Sequence, residues 1–301
     1  MFKKPLLAAV LALAPLSCAQ AATLDAVSLL QQFGLITTGD VSVGALKVHG
    51  RALIGGSLTG NLAEVNNGNI DSKVASVYDE LVLMSATSGT HVRVNNHGSA
   101  SYNGTPAELF ADVTSDTAVA PDNYGAVLSD FSDDLAAMTA TASATKVGTN
   151  ELVFDAAASG GITVYDLTAA DFLNRNISLS LNGADLVVIN VSGTGTFDVM
   201  SNFNYDAALS QKVIWNLSGF SAVNLQRTVK GQILADGMEV SFNSDLEGAL
   251  FADTVNAGAQ IHIQTLDYSE PPEPPAVPLP ASLPLLLAGA GGLVLMRRRR
   301  G

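Results

Sequence analysis

Asp185-Leu186-Val187-Val188-Ile189-Asn190-Val191 is nearly continuously apolar, as a strand buried on both faces is. Shorter strand-like runs lie on either side: Ala52-Leu53-Ile54, His91-Val92-Arg93-Val94, Gly161 to Tyr165 and Ile177 to Leu181. Val213 to Leu217, Gly231 to Leu234, Ala249 to Phe251 and Gln260 to Ile263 follow, with Gly, Asn and Asp as punctuation. Their spacing, roughly 15 to 20 residues, suits stacked coils. The expected fold is mainly β, a parallel β-solenoid (β-helix) with one long amphipathic helix packed alongside. No clean fixed-period repeat is visible, so a β-sandwich is the alternative.

Three segments depart from the strand pattern. Between Asp122 and Ala142, the residues Tyr124, Val127, Leu128, Phe131, Leu135 and Met138 recur at three- and four-residue steps. Asp130, Asp133 and Asp134 fall on the opposite, solvated face, so the stripe reads as packing and not as a partner groove. Leu24 to Phe33 suits a short capping helix with Asp25 near its start. Pro106 to Val113 reads as a further turn or two of helix.

Composition narrows the function classes. Of 301 residues, 15 are Lys or Arg and 28 are Asp or Glu, a net charge of −13. That balance argues against a nucleic-acid partner, which needs a basic surface. With 48% hydrophobic and 14% charged residues, the chain is neither a disordered polyampholyte nor a multi-span membrane protein. Aromatics make up only 6%, which predicts a core of Val, Ile, Leu and Ala.

The ends read as addresses. Lys3 and Lys4, the apolar stretch Leu6 to Leu16 and the small-x-small Ala19-Gln20-Ala21 form a secretory signal over residues 1–21, to be cut by signal peptidase after Ala21. Cys18 invites a lipoprotein reading, but Pro15-Leu16-Ser17 puts proline where a lipobox wants an aliphatic residue. The expected domain spans 22–267, and residues 268–278 form a Pro-rich linker. Residues 277–301 carry Val277-Pro278-Leu279-Pro280-Ala281-Ser282, the short apolar segment Leu283 to Met296 and the cluster Arg297, Arg298, Arg299 and Arg300. Those arginines set topology by staying cytoplasmic. The apolar segment gives about 21 Å of helix against a hydrocarbon core of about 30 Å.

This tripartite tail resembles the VPLPA-type PEP-CTERM group of sorting signals. The resemblance implies a Gram-negative bacterium, transient residence in the inner membrane and recognition by an exosortase-like sorting enzyme. That enzyme would pass the protein to the cell surface or extracellular matrix. Lys3, Lys4 and Arg297–Arg300 are six of the 15 cations, so the processed chain carries nine against 28 acids, a net charge of −19.

Two stretches of the body carry a second resemblance. One is Gly39-Asp40-Val41-Ser42 with Val48-His49-Gly50-Arg51-Ala52-Leu53-Ile54-Gly55-Gly56-Ser57-Leu58. The other is Val213-Ile214-Trp215-Asn216-Leu217, Lys230 to Ala235 and Leu246 to Ala252. Over residues 24 to 265 they resemble the choice-of-anchor A domain, an adhesive module. Asp236-Gly237 departs from its pattern, which more often has proline and a small polar residue there. The resemblance implies a β-helical, non-enzymatic extracellular module, related in fold to ice-binding-like solenoids with a helix beside the coils.

Residues for chemistry are sparse. His49, His91, His97 and His262 are scattered, without helical i, i+4 spacing, and the processed chain has no thiolate, so no metal or cofactor is expected. His91 and His97 are read as loop histidines. Neither a Gly-x-Ser-x-Gly elbow nor a phosphate-cradling glycine loop occurs. Asp245 and Glu247 alternate along an expected strand and form the most site-like acidic pair, suited to weak Ca²⁺ or ligand contact. Arg51 is expected to bond a turn carbonyl or a nearby carboxylate. Thr194-x-Thr196 is a single pair and not a ladder. The expected function is an exported adhesive or matrix-structural protein without catalysis, meeting a polysaccharide or cell-surface ligand. The alternative is a polysaccharide-binding or polysaccharide-acting β-helix of lyase or hydrolase type.

Overall fold

The computed structural model describes residues 24–70, 73–85, 90–104, 108–156, 161–173 and 175–269. Both expected processing segments, with Ala19, Ala21, the sorting motif and the arginine cluster, lie outside these residues. By contacts the chain divides into units 1–268 and 269–301, and the first holds all the helices and strands of the described residues.

The chain enters through helix α1 (Ala26–Gln32), capped as expected by Asp25, whose carboxylate accepts the Ser28 N–H at 2.7 Å. Then come β1 (Phe33–Thr37), β2 (Val41–Val48), β3 (Arg51–Ile54), β4 (Leu58–Val65) and β5 (Leu81–Leu83). They are followed by β6 (His91–Val94), β7 (Ser99–Tyr102), β8 (Glu108–Phe110) and β9 (Val113–Ser115). Helix α2 (Tyr124–Ala137) separates these from the second half. That half has β10 (Thr145–Val147), β11 (Glu151–Asp155), β12 (Ile162–Thr168), β13 (Asn176–Ser180) and β14 (Leu186–Val199). It ends with β15 (Val213–Leu225), β16 (Val229–Lys230), β17 (Gln232–Phe242), β18 (Leu246–Glu247), β19 (Leu250–Ala257) and β20 (Gln260–His262).

Apart from a small separate sheet, in which β10–β11 is antiparallel and β11–β13 parallel, the strand pairs are parallel and form three ladders along the coils. The first wall runs β12, β14, β15, β17, β19, β1, β3, β5, β7, β9. The second uses the later halves of β14, β15, β17 and β19, then the starts of β2 and β4. The third stacks β16, β18, β20, the ends of β2 and β4, β6 and β8. The solenoid expectation holds, and the sandwich alternative falls because the ladders are parallel.

The apolar run from Leu186 to Val191 lies in the first wall, and both of its faces are buried. Val187 and Ile189 enter the inner core, whereas Leu186 and Val188 join a second cluster with Leu128 and Leu135 of α2 and Leu29 and Leu30 of α1. A wall covered by helices on the outside and core on the inside favours an unbroken apolar strand. The blocks carrying the resemblance are rungs of this wall: Trp215 pairs with Ile233, Ile233 with Leu250, Leu250 with Leu35, and Leu35 with Ala52. Coil length varies along it. Val164, Val188 and Ile214 are 24 and 26 residues apart, while Trp215, Ile233 and Leu250 are 18 and 17 apart. This variation is why no fixed repeat shows.

Helix α2 is a strap along the first wall. The Tyr124 hydroxyl donates to Thr37 O at 3.0 Å, Ser129 to Asp236 at 2.8 Å, and Ser132 to Asn216 Oδ1 at 2.6 Å. Asn190 Nδ2 then reaches Leu135 O at 2.9 Å. Fourteen residues give about 21 Å of helix, and four rungs from β1 to β14 give about 19 Å, so one strap spans them. Gly55 allows the close approach at Tyr124, because a Cβ there would stand 2.4 Å from both the hydroxyl and Thr38 O. The helix is shorter than the 122–142 reading but keeps its stripe, with Leu128 and Leu135 fully buried and Asp130, Asp133 and Asp134 outside the buried set.

Two expectations need correction. Residues 108–110 and 113–115 are strands rather than helix, because they add rungs to β6 and β7 and tertiary pairing overrides local preference. The core is also not purely aliphatic. Where the coils are long, Phe154, Phe172, Phe203 and Trp215 pack edge to face at centroid distances of 5.4–5.9 Å, and Phe197 stacks on Phe220 at 5.0 Å. A wide cross-section needs large side chains, and this cluster supplies them, while Phe33, Phe242 and Phe251 are buried outside it. Tyr165 lies in this region, and burial first, then Asp155, pushes its hydroxyl up to about 12.

Candidate functional site

The acidic pair singled out by sequence lies on the third wall. Glu247 is in β18 and Asp245 immediately precedes that strand; both face His262 of β20, the next rung. His262 Nε2 stands 3.2 Å from Asp245 Oδ2 and 4.0 Å from Glu247 Oε1. Asp245 Oδ1 also accepts the Gln260 N–H at 3.1 Å. On the far side the His49 ring meets His262 edge-on at 4.6 Å, and its Nε2 lies 3.1 Å from Gln260 Oε1. Two histidines that looked scattered in sequence are thus brought to one spot by register. Among the described residues, no group of three or more His, Cys, Asp or Glu side chains is arranged to hold a metal ion.

The other histidines do not converge. His91 pairs with Glu108, and His97 Nδ1 lies 2.5 Å from Asp112 Oδ2, each pair linking two neighbouring rungs. Lys47 meets Glu64 at 3.1 Å, with Arg93 4.0 Å from the same carboxylate. On the third wall Lys47 and Arg93 thus join formal opposite charge to Glu64 across rungs, and the histidines contact the other acids from the neighbouring rung.

Arg51 is fully buried, and its role is structural. Its Nη2 donates to Val74 O at 3.0 Å and Nη1 to Gln32 O at 3.4 Å, while Nε lies 3.7 Å from Glu80 Oε1. The same carboxylate accepts the Ser99 N–H at 2.6 Å through Oε2. Carbonyl and carboxylate partners are both of the expected kind.

The second wall was not recognised from sequence. Its inward residues, among them Phe197, Val223, Val240, Val255 and Val41, alternate with an outward row. That row runs Asp198, Asn224, Ser241, Asn256, Ser42 and Thr59 across six successive rungs. Parallel to it lie Thr196, Ala222, Glu239 and Thr254. Rungs are about 4.8 Å apart and rows about 6.7 Å, so the wall is a lattice of mostly short polar side chains, with Ala222 and Glu239 as the exceptions. Neighbours fix one another: Asn224 Nδ2 donates to Asp198 at 2.7 Å, and Asn256 Nδ2 to Glu239 at 2.7 Å. Thr196, one of the sequence pair, belongs to this lattice. The members follow no single residue type and no period, which is why pattern reading missed them.

Residues 26–263 match the profile of a family described as "Putative Ice-binding-like adhesive domain". Two solved structures are similar. One is an ice-binding protein from the Antarctic ascomycete Antarctomyces psychrotrophicus, with 13% identity, 82% of this chain and 100% of that chain covered, and a TM-score of 0.34. The other is the DUF3494 domain of Shewanella frigidimarina ice-binding protein 1, with 15% identity, 78% and 95% coverage, and a TM-score of 0.31. At those scores neither adds to the assignment. No curated protein matches.

Proposed function

The chain belongs to the ice-binding-like adhesive domain family over residues 26–263, and from that premise we propose that it is a non-catalytic surface adhesin whose second wall is the contact face. The observation that carries this reading is the polar lattice on that wall. Most of its side chains are short, Asp198, Asn224, Glu239, Ser241 and Asn256 hold one another, and all stand in register, so they present donors and acceptors with less left to order on contact. Each contact is weak, and many displayed copies supply avidity. Polyhydroxylated matrix polymers match a lattice of this chemistry. The net charge expected of the processed chain disfavours polyanions unless cations bridge them.

Binding of the purified domain to a panel of immobilised neutral and acidic polysaccharides tests the face. Asn224→Leu with Asn256→Leu removes two rungs of polar contact and is expected to weaken binding about tenfold or more, while Arg93→Ala on the third wall leaves it unchanged. Equal loss in both variants would move the contact face elsewhere. The second reading, a polysaccharide-acting enzyme, draws on His262 lying between Asp245 and Glu247. Polymer turnover abolished by Asp245→Asn or Glu247→Gln would establish it.

The finer family reading, choice-of-anchor A, and the route to the surface belong to the same proposal. Signal peptidase acts after Ala21, the 283–296 segment lodges transiently in the inner membrane, and an exosortase-like enzyme removes the tail near Val277–Ser282. Among the described residues no helix is long and apolar enough to cross a membrane, and the 283–296 segment lies outside them. Intact-mass analysis of surface-extracted protein is expected to find a chain beginning at Ala22 and lacking Arg297–Arg300. A full-length species stable in the inner membrane would contradict the route.

A further inference from the structure

The polar groups of the second wall continue around its edge. Where β15 and β17 end and the chain turns toward the third wall, Asn224, Leu225, Gln226, Ser241 and Asn243 line a cleft of about 410 Å³. Asn224 and Ser241 are paired rungs, and Gln226 and Asn243 follow them at the corner. The volume falls in the range of small-ligand sites, about 300–1,000 Å³, but the lining differs from the usual apolar pocket. Among the described residues that line it, none is formally charged and none is aromatic.

Surrounding groups set the amides. Asn224 Nδ2 and Gln226 Nε2 both donate to Asp198 Oδ1, at 2.7 and 3.4 Å. A carboxylate only accepts, so both amides turn nitrogen toward it, and their carbonyl oxygens are left with no donor among the described residues. Ser241 Oγ accepts Asn256 Nδ2 at 3.4 Å, which leaves its own proton to give. Asn243 makes no side-chain hydrogen bond among the described residues, and its amide lies across Gly258 of the next rung, where a Cβ would overlap it. The backbone beneath is already paired. Gln226 N–H donates to Val199 O at 3.0 Å, Gly258 N–H to Phe242 O at 2.8 Å, and Ser244 Oγ to Gln226 O at 3.2 Å.

We propose that this corner cleft is a sugar subsite holding one neutral hexose unit of the polymer that the second wall meets; it rests on the adhesin reading above and adds a ligand class to it. A sugar hydroxyl both donates and accepts. Neighbouring hydroxyls give protons to Asn224 Oδ1 and Gln226 Oε1 and receive them from Ser241 Oγ and Asn243 Nδ2. A uronate or a sulfate brings acceptor oxygens against the same two carbonyls, and an apolar ligand leaves those carbonyls unpaired. The chemistry selects neutral, hydroxyl-rich units.

Titration calorimetry of the processed protein with soluble neutral tetraoses of glucose, mannose and galactose, beside tetragalacturonate, tests the subsite. At least one neutral tetraose is expected to bind about tenfold or more tighter than tetragalacturonate. Asn243→Asp keeps the side chain's shape but replaces its N–H donors with an acceptor. It is expected to weaken tetraose binding about tenfold or more with an unchanged thermal midpoint, and Gln226→Ala, which removes a fixed acceptor, to weaken it several-fold. Tetraose binding indifferent to both variants overturns the proposal, as does a preference for tetragalacturonate over every neutral tetraose. Immobilised polymer that binds while no tetraose does overturns the subsite and leaves the second wall as the contact face. A protein that binds neither polymer nor tetraose overturns both.

Discussion

Replacing Arg51 with methionine is expected to lower the unfolding free energy by about 3–5 kcal/mol, because the buried Glu80 carboxylate loses its cation. The guanidinium is wholly enclosed and also serves Gln32 O and Val74 O, tying the end of α1 and the 73–80 stretch to β3. In a domain of this size such a loss moves the thermal midpoint down by roughly 10 °C or more. The double variant Arg51→Met with Glu80→Gln removes the stranded charge and is expected to recover more than half of the loss. Urea unfolding of the two variants beside the parent reads this directly. A single variant no worse than the double would show that the charge pair is not what fixes Arg51.

Trp215→Ala is expected to cost a similar amount, about 3–5 kcal/mol, by a different mechanism. The indole is the hub of the aromatic cluster, edge to face with Phe154, Phe172 and Phe203, and its Nε1 donates to Lys230 O at 2.8 Å. It also borders an apolar cavity of about 20 Å³ lined by Phe172, Phe197 and Leu225, so truncation enlarges a space that offers water no polar partner. Trp215→Phe keeps most of the volume and forfeits the hydrogen bond, with an expected loss of about 1–2 kcal/mol. Circular dichroism should follow both, since Trp215 is the chain's only tryptophan and its fluorescence disappears with it. Near-equal losses for Ala and Phe would assign the stability to the hydrogen bond instead of the packing.

Much of the first wall was legible because it is buried on both sides. Val187-Val188-Ile189 has nowhere polar to point, and α2 shows its apolar stripe because a strap must face the wall with one side. What escaped has one cause: a solenoid's neighbours are set by register, and register here changes with coil length. Asp198 and Asn224 are adjacent rungs 26 residues apart, whereas Asn224 and Ser241 are 17 apart, so the polar lattice has no period to detect. His262 reaches Asp245 for the same reason, across a coil rather than along a helix. The composition reading failed at the wide end because an average of 6% aromatics conceals where they cluster. The 108–115 strands were missed because three-residue edge strands take their conformation from the rung beneath.

The order of rungs has a consequence for how the domain is made. β1 lies between β3 and β19, so residue 35 pairs with residue 250 and residue 41 with residue 255. The first coils made are therefore not an end of the stack but its middle, and one side of β1 waits for the last strands to arrive. Closing a loop that long costs chain entropy before any pairing returns it, which places this fold among the slow, high-contact-order folders. Until residues 250–257 dock, β1 and β2 present a bare parallel edge, the kind of surface on which unfinished chains stick to one another. A newly made chain thus passes its most vulnerable moment late, and the step that ends it is the closing of the β19–β1 seam.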